Sequence, residues 1–322
     1  MIMNLSVQQI RYIISFILFL LAFMVLLNIV TPVLFKALPN DYMRTKLIIQ
    51  TLKDTSEVAE VIILGNSRGM NGVNGYMLEK ELSDHPKVYN LTSTGQQLSE
   101  SALYYTMIPT EVKTVIQCID IDLLSKPIDI KTSNSVALHM YRYEMDNKTE
   151  EIVPLKKTLD KPFFIYNYEA RNCLFAGLSY FLRKMLDDDD PDVFALDLRY
   201  PSSHKSLRND IIYKQEIEEK NKNNMFALYT ILPEWKKLID TSYIYFKQRN
   251  IRYCLLIMPY NPDIISSTNE EKEYALSLFK KQFNDIFLID CFNLLRPEDF
   301  YDAIHPNNSG AEKITDMVIK SF

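Results

Sequence analysis

The chain has 322 residues, 47% of them hydrophobic and 24% charged, with a net charge of −5. This apolar and aromatic content excludes a disordered or low-complexity chain. Net acidity without a basic stripe argues against nucleic acid as a partner. Only 7 glycines occur, against about 23 at ordinary usage, and four of them, Gly65, Gly69, Gly72 and Gly75, fall within eleven residues. That clustering directs attention to residues 65–95 and to the neighbourhood of Gly310.

After a short tail, 1–11, no charged residue occurs from Tyr12 to Phe35. Twenty-four helical residues extend about 36 Å, enough to cross a hydrocarbon core of about 30 Å. No small-residue cleavage site follows, so 12–35 reads as an uncleaved transmembrane anchor rather than a removed signal. Arg11 stands alone before it, whereas Lys36, Arg44, Lys46 and Lys53 follow. The basic count therefore points to a cytoplasmic C-terminal side. Residues 36–56 read as a linker and 57–322 as one domain.

Within that domain five runs read as strands: 58–64, 87–91, 112–119, 251–258 and 286–290. Their near-continuous apolar character suits strands covered on both faces, as in a parallel sheet. Helical patterns cover 76–82, 99–107, 235–248 and 270–283, and 311–322 forms a last helix. Strands alternating with helices give an α/β fold, doubly wound. Residues 125–234 break the rhythm and read as an insertion, a common place for substrate selection. Its acidic run, Asp187–Asp190, lacks the spaced pattern of a calcium loop and reads as solvated. Gly177 has no assignable role. The cysteines Cys118, Cys173, Cys254 and Cys291 lack metal-binding spacing and read as buried free thiols, with a disulfide as the alternative if the domain lies outside the cytoplasm. No metal or other cofactor is called for.

Two segments carry chemistry. In VIILGNSRGMNGVNG, residues 61–75, an apolar strand runs into Gly65-Asn66-Ser67 and then a helix. A serine there sits in the crevice where open α/β sheets bind ligands, and its N–H can donate to an oxyanion. The alternative is a serine that only caps the helix. In DAIHPN, residues 302–307, Asp302 and His305 are three apart on one turn. Imidazole is the base suited to activate a serine, and a carboxylate fixes its tautomer. His85, His139 and His204 lie in polar loops or the insertion and read as structural.

ILGNSR together with the C-terminal DAIHPNNSGAEKI resembles the SGNH (GDSL-type) hydrolase superfamily, and VYNLTSTGQQ resembles its second block. The resemblance covers most of 58–124 and 250–322. It implies a three-layer α/β/α sandwich, flavodoxin-like, with a five-stranded parallel sheet. It also implies a Ser67–His305–Asp302 triad, with an oxyanion held by the N–H groups of Ser67 and Gly95. Asparagine replaces the usual aspartate at position 66. The third block, Gly-x-Asn-Asp, is absent: the strand runs into Asp120-Ile121-Asp122. Asn66, Gln96 and Gln97 are the candidates to supply the missing donor, and Arg68 could meet an anionic substrate or form an ion pair.

With the anchor, the chain is similar to membrane-tethered SGNH-like proteins of cell-envelope acylation. That similarity implies a globular domain outside the cytoplasm, against the basic count. It also implies acyl transfer to or from a hydroxyl of an envelope polysaccharide, beside a membrane-bound O-acyltransferase. An esterase with the same triad, or a noncatalytic partner of the acyltransferase, are the alternatives.

Overall fold

Five short apolar runs set the architecture. In a computed structural model, which describes residues 7–37, 43–54, 56–128, 195–201 and 208–322 and the single positions 179 and 182, each becomes a parallel strand. They are β1 (Val61–Leu64), β2 (Val88–Asn90), β3 (Thr114–Ile119), β4 (Arg252–Ile257) and β5 (Phe287–Asp290), in the order β2-β1-β3-β4-β5. Register is fixed by pairs such as Ile63 with Asn90 and Ile116, and Ile257 with Asp290. The chain leaves β1 to one side for β2, then crosses to the other for β3. The C-terminal end of β1 is thus a topological switch point, where such sheets open a crevice.

The helices are α1 (Val7–Ala37), α2 (Met43–Lys53), α3 (Ser67–Gly72), α4 (Gly75–Glu81) and α5 (Leu98–Ala102). They continue with α6 (Asp210–Lys220), α7 (Pro233–Gln248), α8 (Asn269–Gln282) and α9 (Asn308–Ser321). Alternate strand residues enter two separate cores, as the period of two requires. Ile62, Leu64, Val115, Leu255 and Ile257 pack with residues of α2, α5, α7 and α8, including Ile48, Ala102, Phe246 and Phe279. Val61, Ile63, Ile116, Cys254 and Leu256 pack with Leu78 of α4, Tyr213 of α6 and Ile314 and Val318 of α9.

α1 is the one helix among the described residues long and apolar enough to cross a membrane; its Val7–Leu26 stretch has mean hydropathy 2.2 and is unburied. Residues 36–56 depart from a linker. They hold α2, whose Ile48, Ile49 and Leu52 are at most 5% exposed. The expected helix at 99–107 divides into α5 and a 3-10 turn, Tyr105–Met107. Of the expected insertion, 129–194 (save 179 and 182) and 202–207 lie outside the described residues, and with them His139, Cys173, Gly177, Asp187–Asp190 and His204. The described part contributes α6 and the segment 195–201, whose Leu198 carbonyl accepts from Asn90 N at 2.6 Å. Cys118, Cys254 and Cys291 are buried free thiols.

Because α2 is part of the core, Ile48→Ala should cost about 2–5 kcal/mol. Urea unfolding of the detergent-solubilised chain reads that loss, whereas a linker residue would give almost none.

Candidate active site

β1 ends at Gly65, whose φ of +143° and closeness to β3 exclude a side chain: a Cβ there would lie 2.7 Å from Cys118 Cβ. Asn66 follows as the N-cap of α3, its Oδ1 accepting from Arg68 N at 2.9 Å. This short-side-chain cap is a standard helix start, and it leaves Ser67 as the first helical residue, half-buried at the crevice. No hydrogen bond to a described residue uses the Ser67 N–H, as expected at a helix N-terminus.

The base arrives from the other end of the chain. His305 Nε2 lies 2.8 Å from Ser67 Oγ, and His305 Nδ1 lies 2.7 Å from Asp302 Oδ2. Asp302 Oδ1 accepts from Ile304 N at 2.9 Å and His305 N at 2.8 Å, closing a tight turn around the carboxylate. Hydrogen bonds from His305 and from these two amides hold the Asp302 carboxyl below its ordinary 3.8, outweighing burial, which pushes it up. An ionised Asp302 requires the proton on Nδ1, so the Nε2 lone pair faces the serine hydroxyl. The sequence-based placement of Ser67, Asp302 and His305 thus converges on one chain of hydrogen bonds.

The histidine turn is fixed from three sides. Tyr301 N donates to His305 O at 3.1 Å, Phe300 bridges to Pro306, and the Tyr301 ring stacks on the imidazole at 5.8 Å. Below it, buried Asp299 accepts from Lys313 Nζ at 2.6 and 2.7 Å and from Ser309 Oγ at 3.1 Å, tying the turn to α9. Beside it, Ala303 donates to Glu216 of α6 at 3.1 Å and accepts from Asn261 Nδ2 at 3.0 Å. Glu216, Asn261 and Asp299 were not legible as site residues. Nothing in their local sequence distinguishes them from surface carboxylates and amides.

The loop after β2 supplies the second half of the crevice. Ser93 N donates to Gly65 O at 3.0 Å, seating the loop against the Ser67 turn. Gly95 takes φ +71°, and its N–H, like that of Ser67, meets no acceptor among the described residues. Gln97 is the N-cap of α5, and its backbone N–H donates to Glu100 Oε2 at 2.7 Å. Gln96 is 3% exposed; its Nε2 donates to Ser101 Oγ at 3.0 Å and its Oε1 has no partner among the described residues. A cavity of about 20 Å³, lined by Asn66, Gln96, Gln97, Asp120 and Trp235 among others, lies beside it.

Two of the residues expected to serve substrate or oxyanion are committed elsewhere. Arg68 is buried and pairs with Asp120 Oδ1 at 3.2 Å and Asp122 Oδ1 at 3.5 Å, so the ion-pair alternative describes it and an anion-binding role does not. Asn66, besides capping α3, donates through Nδ2 to Asp120 Oδ2, so one of its two amide N–H groups is engaged there. Asp120 stands at the end of β3, where the third block would place its asparagine, and a carboxylate there accepts rather than donates. Burial pushes the Asp120 carboxyl up against the pull of Arg68.

The depressed Asp302 carboxyl fixes a pH dependence. A group with a lowered folded pKa stabilises the fold fully above its unfolded value, and that contribution is lost as pH falls through the folded value. The stability gap between wild type and Asp302→Asn should therefore be constant at neutral pH and narrow below about pH 4. Paired urea titrations at pH 7, 5, 4 and 3 measure it; a gap that widens in acid would contradict the assigned charge state.

Compared with known proteins, the chain matches no family model and no curated protein.

Proposed function

We propose that the protein is a membrane-anchored serine acyltransferase of the SGNH type, with a three-layer α/β/α domain. Its substrate is an acyl group, O-acetyl or similar, moved to or from a hydroxyl of a cell-envelope polysaccharide. The observation that carries this reading is the continuous chain Ser67 Oγ–His305–Asp302, at 2.8 and 2.7 Å, standing at the switch point of a parallel sheet. A serine that served only as a cap would have no use for an oriented imidazole.

Each step uses groups described above. Ser67 Oγ attacks the acyl carbonyl carbon while His305 Nε2 takes the hydroxyl proton. The carbonyl oxygen becomes an oxyanion, received by the N–H groups of Ser67 and Gly95 and by the positive end of α3. Collapse breaks the bond to the leaving group, which departs with the proton from His305. An acceptor hydroxyl then gives its proton to His305 and attacks the acyl-serine. The second collapse releases the new ester and returns the proton to Ser67. Asp302 stays ionised throughout and stabilises the imidazolium. Water in place of the acceptor gives the esterase outcome with the same residues. The domain is placed outside the cytoplasm, next to a membrane-bound O-acyltransferase, on the similarity to envelope acylation proteins.

A fluorophosphonate probe tests the nucleophile. Wild type should label, Ser67→Ala should not, and His305→Ala and Asp302→Asn should label slower by up to about 10⁴-fold. Labelling that persists in Ser67→Ala removes this serine from the chemistry, and an unlabelled wild type favours the noncatalytic docking role. Free acetate released with and without an added glycan acceptor then separates transfer from hydrolysis.

A further inference from the structure

The place where the anchor joins the domain carries information about the substrate. α2 begins at Met43, and its second residue, Arg44, is 2% exposed. The Arg44 guanidinium donates to the carbonyl oxygens of Thr92 at 2.5 Å, Asn90 at 2.6 Å and Asp197 at 3.0 Å, and also to that of Ala195. Asn90 ends β2, and Thr92 precedes Ser93, whose N–H donates to Gly65 O beside the Ser67 turn. The start of α2 is therefore seated at the C-terminal edge of the sheet, on the loop that carries Gly95.

The far end of α2 lies at the opposite edge. From Lys53 the chain soon reaches Glu57, whose carbonyl accepts from Tyr89 OH at 3.5 Å and whose side chain meets Lys87, and Glu60 N donates to Lys87 O at 2.9 Å. These residues lead into β1 and β2. α2 thus runs antiparallel to the strands, about 16 Å from the site edge to the far edge. Six chain steps separate Ala37, the last residue of α1, from Met43. Fully extended they reach at most about 21 Å. The anchor is consequently leashed to the edge that carries Ser67 and His305, and the opposite edge is about one strand length further away.

From this placement we infer that the site edge faces the bilayer and that Ser67 exchanges its acyl group with an ester held at the membrane surface, not with a freely diffusing one. This rests on α1 as anchor and, for the chemistry, on the acyl-transfer reading above. Arg44 is the strut: one buried guanidinium binds the anchor-side helix to the carbonyls that shape the Gly95 loop.

Two measurements on the full chain in phosphatidylcholine–phosphatidylglycerol vesicles test this. The first compares height above the bilayer at exposed positions on the two edges, Thr94→Cys and Asn250→Cys, in a Cys173→Ser background. Each is labelled with a donor fluorophore, with rhodamine lipid as acceptor. Stronger energy transfer from position 94 is expected; equal transfer, or stronger transfer from position 250, overturns the orientation. The second inserts a 20-residue helical spacer between residues 37 and 43, about 30 Å long. Turnover of a coumarin ester carried on a phosphatidylethanolamine headgroup should fall at least tenfold, with turnover of soluble p-nitrophenyl acetate unchanged. An unchanged ratio of the two rates overturns the membrane-held substrate. Should position 94 lie nearer the bilayer while Ser67 resists the fluorophosphonate, the orientation stands and the acyl-transfer reading falls.

Discussion

An imidazole can serve a serine 238 residues away only if both backbones are held to within a fraction of an ångström. The Ser67–His305 hydrogen bond imposes that condition, and much of the C-terminal architecture answers to it. On the serine side, β1 and the cap of α3 hold the Ser67 backbone in place. On the histidine side, the turn has little inherent rigidity and borrows it. Asp302 accepts two backbone amides as well as the ring, the Asp299–Lys313 pair ties the turn to α9, and Glu216 and Asn261 clamp Ala303. Carboxylates engaged by several donors keep their charge and their rotamer together, so electrostatics and geometry are set by the same contacts.

Beneath the serine lies a second polar cluster of a different kind. Asn66, Arg68, Asp120 and Asp122 join the end of β1 to the end of β3 in a buried network. Desolvation makes such a network a poor source of net stability, but removal of one member strands the others at considerable cost. Its effect is to lock the relative height of the two strand ends, and so the floor of the crevice. The same commitment shapes the chemistry. On the acyl-transfer proposal, with Asn66 Nδ2 directed at Asp120, the oxyanion would be received by the backbone N–H groups of Ser67 and Gly95.

Legibility in the sequence followed the range of the interaction. The five strands emerge within a few residues of their observed limits because each is a nearly unbroken apolar run flanked by polar residues. Ser67, Asp302 and His305 emerge because each sits in a short local pattern with a chemical meaning. α2 did not, because MRTKLIIQTLK is basic and polar on average, and its buried face is three aliphatics with Thr45 and an arginine that the fold covers. Arg68 has Asp120 and Asp122 as partners 52 and 54 positions away. That pairing depends on β1 lying next to β3, a matter of strand order that no local pattern encodes. Asn66 looked available for the same reason.

The few residues between Ala37 and Met43 also bear on how much binding the site itself must supply. A short tether converts encounter in three dimensions into a search over a small patch of surface, where the effective concentration of a co-anchored reactant is millimolar. At such concentrations a reactant held with only millimolar affinity still occupies the site for much of the time. On the proposal of a membrane-held ester, confinement to the bilayer supplies part of the binding that a freely diffusing enzyme draws from its pocket alone.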